Sequence, residues 1–241
     1  MTYCVGLLLN DGMVLLSDTR TNAGLDNIAT YRKMFTFEEP GERVVVILTA
    51  GSLSITQTTV AELREAIENP EATPETSILL APTMLKVAEI VGSALARVRQ
   101  SVDDRLAAMR QGASASMIVA GQRRGGAMRM FLIYPEDNFI EATEDTPFLQ
   151  IGEHKYGKPI LDRVVRRSTS LADAQKAVLL SMDSTLRSNL SVGMPLDLAV
   201  IPAGECRVAF TRRFEAGDRD FARISAAWSK ALRDSFAKIR I

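Results

Sequence analysis

The chain opens with two apolar stretches, Tyr3 to Leu9 and Gly12 to Ser17, parted by Asn10-Asp11-Gly12. Asn, Asp and Gly tolerate positive φ, so this pattern predicts a β-hairpin that begins directly after Thr2. Thr19 to Arg32 is polar, with room for one short strand near its end. Met34 to Phe37 alternates, Glu38-Glu39-Pro40-Gly41 turns, and Arg43 to Thr49 is strongly β-branched, as strands prefer. The period then changes. Ile55, Val60, Leu63 and Ile67 form a helical stripe, with Ser52 or Ser54 as its cap and Asn69-Pro70 as its end. A second helical period runs from Glu75 to Arg110, where Pro82 argues for a break or a late start. Strand patterns return at Ala113 to Gly121 and Ala127 to Pro135, with shorter ones at Phe139 to Ala142 and Phe148 to Ile151. Tyr156 to Arg167 and Leu171 to Leu186 read as helices. Leu196 to Pro202 and Cys206 to Arg212 read as a closing hairpin.

Strands, two helices, strands, two helices, strands is the order that results. Paired helices set between antiparallel meanders suggest two stacked sheets with a helical layer on each outer side, an α+β, four-layer αββα arrangement. No linker or internal repeat divides the chain, so residues 1–215 read as one domain. Residues 216–241 differ: Phe221, Ile224, Trp228, Leu232 and Ile239 recur at helical steps among Arg and Lys. This predicts an appended amphipathic helix, packed on its own domain or on a neighbouring subunit.

Composition narrows the functional classes. The 241 residues carry 29 basic and 29 acidic side chains, which gives no electrostatic reason to expect nucleic acid or an anionic membrane as partner. No apolar run is long enough to span a bilayer, and no secretory signal pattern opens the chain. The two cysteines, Cys4 and Cys206, are too few for a disulfide framework. A cytoplasmic location is the expectation. One histidine, His154, cannot build a multi-histidine metal site or supply several catalytic bases. Cys-x-x-Cys, phosphate-loop, dinucleotide and Gly-x-Ser-x-Gly patterns are absent, so neither metal nor cofactor is expected.

The remaining chemistry lies at the start. Initiator Met is generally removed before a small residue, and removal of Met1 leaves Thr2 with both a hydroxyl and a free α-amine. An amine of reference pKa about 7.7–8.0 is matched to accept the hydroxyl proton near neutral pH. Nucleophile and base then share one residue. A nearby cation lowers the cost of the alkoxide. Lys33 in "YRKMF" supplies one, and Asp18 in "LLSDTR" comes back beside Thr2 through the hairpin to hold it, or else pairs with Arg20. In "LTAGS", Gly51 marks a strand-to-helix junction suited to presenting an N–H to an oxyanion.

These residues, with "TNAGLDNIATYRKMF" and the C-terminal extension, resemble the Anbu (ancestral β-subunit) group, bacterial relatives of proteasome β-subunits and HslV among the N-terminal nucleophile hydrolases. The resemblance covers the chain to about Arg213. It implies the αββα fold and a threonine peptidase acting on unfolded or short peptides within a ring or helical homo-oligomer. Thr2 would be nucleophile and base, Lys33 the cation, Asp18 its anchor and Gly51 the oxyanion donor. Thr21 would offer an edge strand to substrate. Ser188 and Ser191 would support the site. Here Glu153 stands where many relatives have Ser, Ser188 stands where they have Asp, and Thr2 to Lys33 is one residue shorter. The resemblance is silent on an ATPase partner. A non-peptide amide hydrolase and a weakly active scaffold remain as alternatives.

Overall fold

The opening hairpin forms where its pattern put it, as β1 (Tyr3–Leu8) and β2 (Gly12–Asp18). Leu9 N–H donates to Gly12 C=O across the turn at 2.8 Å, and Gly12 takes φ +151° against the backbone of Ile201. The computed structural model describes residues 2–22, 28–106 and 113–240. Next come β3 (Arg20–Asn22), β4 (Ile28–Thr30), β5 (Met34–Glu39) and β6 (Arg43–Gly51). The helices α1 (Leu53–Glu68) and α2 (Met84–Leu106) lead to β7 (Ala115–Arg123), β8 (Arg129–Ile133), β9 (Phe139–Glu141) and β10 (Phe148–Gly152). After α3 (Lys158–Val164) and α4 (Leu171–Ser188) the chain closes with β11 (Leu196–Pro202), β12 (Phe210–Phe214) and α5 (Arg219–Phe236).

The strands form two five-stranded antiparallel sheets, in the orders β10-β1-β2-β11-β12 and β5-β6-β7-β8-β9, and a separate β3-β4 ribbon. Alternation along each strand divides the side chains between two faces. Tyr3, Val5, Leu7, Val14 and Leu16 pack with α3, α4 and the start of α5. Cys4, Met13, Leu15 and Ile151 instead share a cluster with Val46, Leu48, Ile118 and Met130 of the other sheet. The far side of that second sheet, including Val45, Ile47, Val119 and Phe131, packs against α1 and α2. With apolar material on both faces, β1 and β2 are buried at every position. That is why they read in the sequence as continuous apolar runs rather than alternating ones.

The structure adjusts several boundaries. Ser52 occupies the N-cap position of α1, but its side chain makes no capping bond; its hydroxyl lies 3.3 Å from that of Ser54. The helix expected from Glu75 starts at Met84, after Pro82, where the Thr83 hydroxyl accepts the Lys86 N–H at 3.1 Å. Residues 107–112, at the end of that predicted stretch, lie outside the described residues, as do 23–27. The helix expected over Tyr156 to Arg167 divides into a 3₁₀ turn, His154–Tyr156, and the short α3. The last strand runs Phe210–Phe214 rather than Cys206 to Arg212, because Cys206 takes φ +48° in the connecting loop and leaves strand geometry.

Candidate active site at the start of the first strand

Asp18 ends β2 beside the start of β1, with its side chain wholly buried. One carboxylate oxygen accepts the Tyr3 N–H at 3.1 Å and the Lys33 ammonium at 2.8 Å. The other accepts the Gly193 N–H at 3.2 Å. Lys33 also donates to the Arg20 carbonyl at 2.6 Å. The hairpin, the segment entering β5 and the loop before β11 therefore converge on one buried ion pair. Tyr3 N–H and Lys33 meet at the same oxygen, so the cation and the peptide link that joins Thr2 to Tyr3 share one acceptor.

Thr2 is itself buried. Its carbonyl accepts the Glu153 N–H at 2.7 Å. Across from it, Gly152 has φ +80°, and a Cβ there would lie 1.9 Å from the Thr2 carbonyl oxygen. Tyr3 is fixed at its far end too. Its buried hydroxyl lies 2.5 Å from Ser181 Oγ and accepts Gln150 Nε2 at 2.5 Å. Residues 2 and 3 are thus held through backbone and side chain alike.

The electrostatics follow from burial. Desolvation pushes the Asp18 carboxyl above its ordinary value, while Lys33 and the two N–H groups pull it back towards the charged form. Desolvation pushes the Cys4 thiol far up as well, with the neighbouring Asp18 acting in the same direction. Cys4 is therefore a neutral thiol that donates to the Thr49 carbonyl at 3.6 Å, not a competing nucleophile. Asp18 does not pair with Arg20, whose guanidinium turns to the Leu190 carbonyl at 3.1 Å.

Other expected residues are placed differently. Gly51 ends β6 with φ +104°, where a Cβ would meet the Ser114 carbonyl at 2.3 Å. Packing against β7 thus requires glycine there independently of any substrate. Thr21 lies in the β3-β4 ribbon opposite Ala29. Ser188 is exposed at the end of α4, and the Ser191 N–H donates to Asn189 Oδ1 at 2.9 Å. The loop after Ser188 reaches Asp18 through Gly193 instead. Near Glu153, Lys155 holds its ammonium 5.2 Å from the Tyr156 ring centre. His154 is exposed, with Nδ1 3.1 Å from the Gly152 carbonyl oxygen. The contributions missed by sequence reasoning are the N–H groups of Tyr3, Glu153 and Gly193 and the carbonyl of Arg20. Backbone groups carry no residue-type signature, so only the neighbouring glycines hinted at them. Among the described residues no cluster of three or more His, Cys, Asp or Glu could hold a metal ion.

The chain is 48% identical to an Anbu (Gly-1) mutant from Hyphomicrobium sp. strain MC1, with a TM-score of 0.92, covering 100% of this chain and 99% of that one. The chain belongs to the Anbu family. Anbu from Yersinia bercovieri matches at 40% identity and TM-score 0.91, covering 99% of this chain and 98% of the other. Anbu from Pseudomonas aeruginosa, solved as a helical assembly, matches at 43% identity and TM-score 0.92, covering 99% and 97%. No family model and no curated protein matched. The likeness to Anbu extends through α5, so the C-terminal extension belongs to what is shared. Among the described residues, no helix of this Anbu chain is long and apolar enough to cross a membrane.

Proposed function

We propose that this Anbu chain is a proteasome-type threonine peptidase of the N-terminal nucleophile class. In this reading the two sheets and their outer helices are the αββα fold of residues 1–215, and 216–241 is the helical extension. The observation that carries the proposal is the buried Lys33–Asp18 pair, 2.8 Å apart, bonded to the amide directly after Thr2.

Removal of Met1 frees the Thr2 amine. The amine takes the Thr2 hydroxyl proton as Oγ1 bonds to the substrate carbonyl carbon, and the Lys33 ammonium stabilises the developing alkoxide. The Gly51 N–H donates to the oxyanion. Collapse of the adduct breaks the C–N bond, and the Thr2 ammonium returns its proton to the leaving amine. Water then attacks the acyl ester, giving its proton to the Thr2 amine, and Thr2 Oγ1 leaves with a proton. Ser191 belongs to the loop that supports the site through Gly193, and Thr21 offers main-chain groups to the acyl side of an extended peptide. The substrate is an unfolded or short peptide, the working form a cytoplasmic homo-oligomer, in keeping with the helical assembly of the Pseudomonas relative.

Intact mass of the purified protein, with labelling by a threonine-reactive epoxyketone, tests this reading. Loss of Met1 and one label per chain, abolished in Thr2→Ala, is the expected result. Retained Met1, or labelling that persists in Thr2→Ala, refutes it. A weakly active scaffold is the second reading. It is favoured by Glu153, a carboxylate-bearing residue whose N–H bonds to Thr2 while Lys155 is directed to Tyr156. Assembly without labelling is its signature.

A further inference from the structure

Beside the nucleophile the first sheet ends at β10, and among the described residues no strand pairs with its outer edge. The register fixes which backbone groups that edge presents. Leu8 N–H donates to Pro147 C=O, and Glu153 N–H donates to Thr2 C=O. Hydrogen-bonded and non-bonded pairs alternate along an antiparallel ladder, so Leu149 and Ile151 also turn inward to β1. Phe148 and Gln150 accordingly turn their N–H and C=O groups outward, while the Gly152 carbonyl lies 3.1 Å from His154 Nδ1. A cleft of about 590 Å³ runs along this edge, with β10 as one wall and Ser116 and Leu132 on the other.

One end of the cleft lies at the reacting residues. Gly152 lines it and stands directly against Thr2. Ser114 lines it as well, and its carbonyl packs on Gly51 and accepts the Ser52 N–H at 2.8 Å. The cleft therefore begins between the residues flanking the nucleophile and the oxyanion donor, and it leads away from both. Unpaired strand groups are met best by another extended backbone. The five residues of β10 extend roughly 17 Å at about 3.4 Å per residue, room for about four residues of an added strand.

We propose that this cleft binds the leaving-group side of an extended peptide substrate, as a sixth strand on the outer edge of β10. The inference rests on the threonine-peptidase reading and adds a second subsite to it. The acyl side is held near Thr21. The residues beyond the scissile bond pass Gly152 and bond to the outward groups of Gln150 and Phe148. Affinity for them comes mainly from main-chain bonds and so tolerates varied sequence.

Two fluorogenic substrates with one shared acyl sequence test the proposal: one releases aminomethylcoumarin, the other is an internally quenched peptide with four residues after the scissile bond. The readout is the ratio of their kcat/KM values. Gln150→Pro removes an outward N–H, and Gln150→Ala is the control for the lost side chain. Ser116→Trp fills the cleft from the opposite wall and leaves β10 untouched, so a misfolded proline variant does not decide the matter. The peptide-to-coumarin ratio is expected to fall at least tenfold in Gln150→Pro and Ser116→Trp relative to wild type and Gln150→Ala. An unchanged ratio in Ser116→Trp overturns the proposal. If the wild type cleaves neither substrate, the peptidase reading fails, and the cleft is judged separately. A fluorescein-labelled leaving-group tetrapeptide is then titrated into Thr2→Ala protein by anisotropy. Saturable binding lost in Ser116→Trp upholds the cleft as a peptide site; no saturable binding overturns it.

Discussion

The Thr2–Asp18–Lys33 site and helix α5 are both readable in the sequence, yet they are held by opposite means. The site is buried and fixed by partners distant in sequence, from Tyr3 to Gly193. Helix α5 is fixed over its first turns, where Ile224 and Trp228 are half-buried, and is exposed from Lys230 onward. Asp218 caps it by accepting the Phe221 N–H at 2.9 Å, and Phe221 packs edge-on to Phe214 with ring centres 6.1 Å apart. Further along, ion pairs such as Lys230–Asp234 are local and exposed, and such pairs contribute little to stability. Leu232, Phe236 and Ile239 remain 50%, 79% and 72% exposed. Long-range burial makes geometry rigid, as the chemistry proposed at Thr2 requires. Local capping makes a helix that projects apolar surface, as the expected docking on a neighbouring subunit would require.

The sharpest way to break this contrast is Lys33→Ala. It leaves Asp18 buried without its cation, which costs about 3–5 kcal/mol and pushes the Asp18 carboxyl further up. Denaturant unfolding should show that loss, and epoxyketone labelling of Thr2 should disappear. Tyr3→Phe should come next, because it removes the partner of Ser181 Oγ and of the Gln150 amide. The expected loss is about 1–3 kcal/mol by the same measurement, and a loss near zero would mean that the hydroxyl network is not needed to hold residue 3.

Acid should act on α5. The Phe221 N–H, aided by Arg212, holds the Asp218 carboxyl below its ordinary value. Its contribution is thus present above the unfolded value and is lost as pH falls through the lower folded one. Amide exchange of residues 219–225, compared at pH 5 and pH 3 after correction for intrinsic rates, should show selective loss of protection at pH 3, and Asp218→Asn should remove that difference. The smallest effect on fold stability, under about 0.5 kcal/mol, is expected of the exposed substitution Phe236→Ser. Its expected consequence lies in sedimentation, as a shift towards smaller species. Unchanged sedimentation would assign the exposed face of α5 to some role other than assembly.

How far each region was legible depends on what carries it. β1 and β2 were readable because sheets covered on both faces need unbroken apolar runs. Asp18 and Lys33 were readable because a hairpin must return Asp18 to Thr2, and a buried ammonium needs a carboxylate. Gly193 was not, because its part is a backbone N–H brought in by the loop before β11. Ser188 was expected in the supporting role, but the loop turns after α4, which leaves that side chain outside and brings Gly193 inward. The late start of α2 was signalled by Pro82. The loss of strand geometry at Cys206 was not, since positive φ at a non-glycine residue is imposed by surroundings rather than by side-chain preference.

By itself the sequence determined the order of elements, the hairpin that pairs residue 3 with Asp18, the amphipathic stripe of α5 and the candidate nucleophile. These follow from local periodicity and turn chemistry, which act over a few residues. Only the tertiary structure decided that the second Asp18 oxygen is met by the distant Gly193 N–H, that Gly51 is demanded by β7, and that β10 is an open edge among the described residues. Those outcomes depend on which strands lie side by side, and strand neighbours are chosen by packing across the whole molecule.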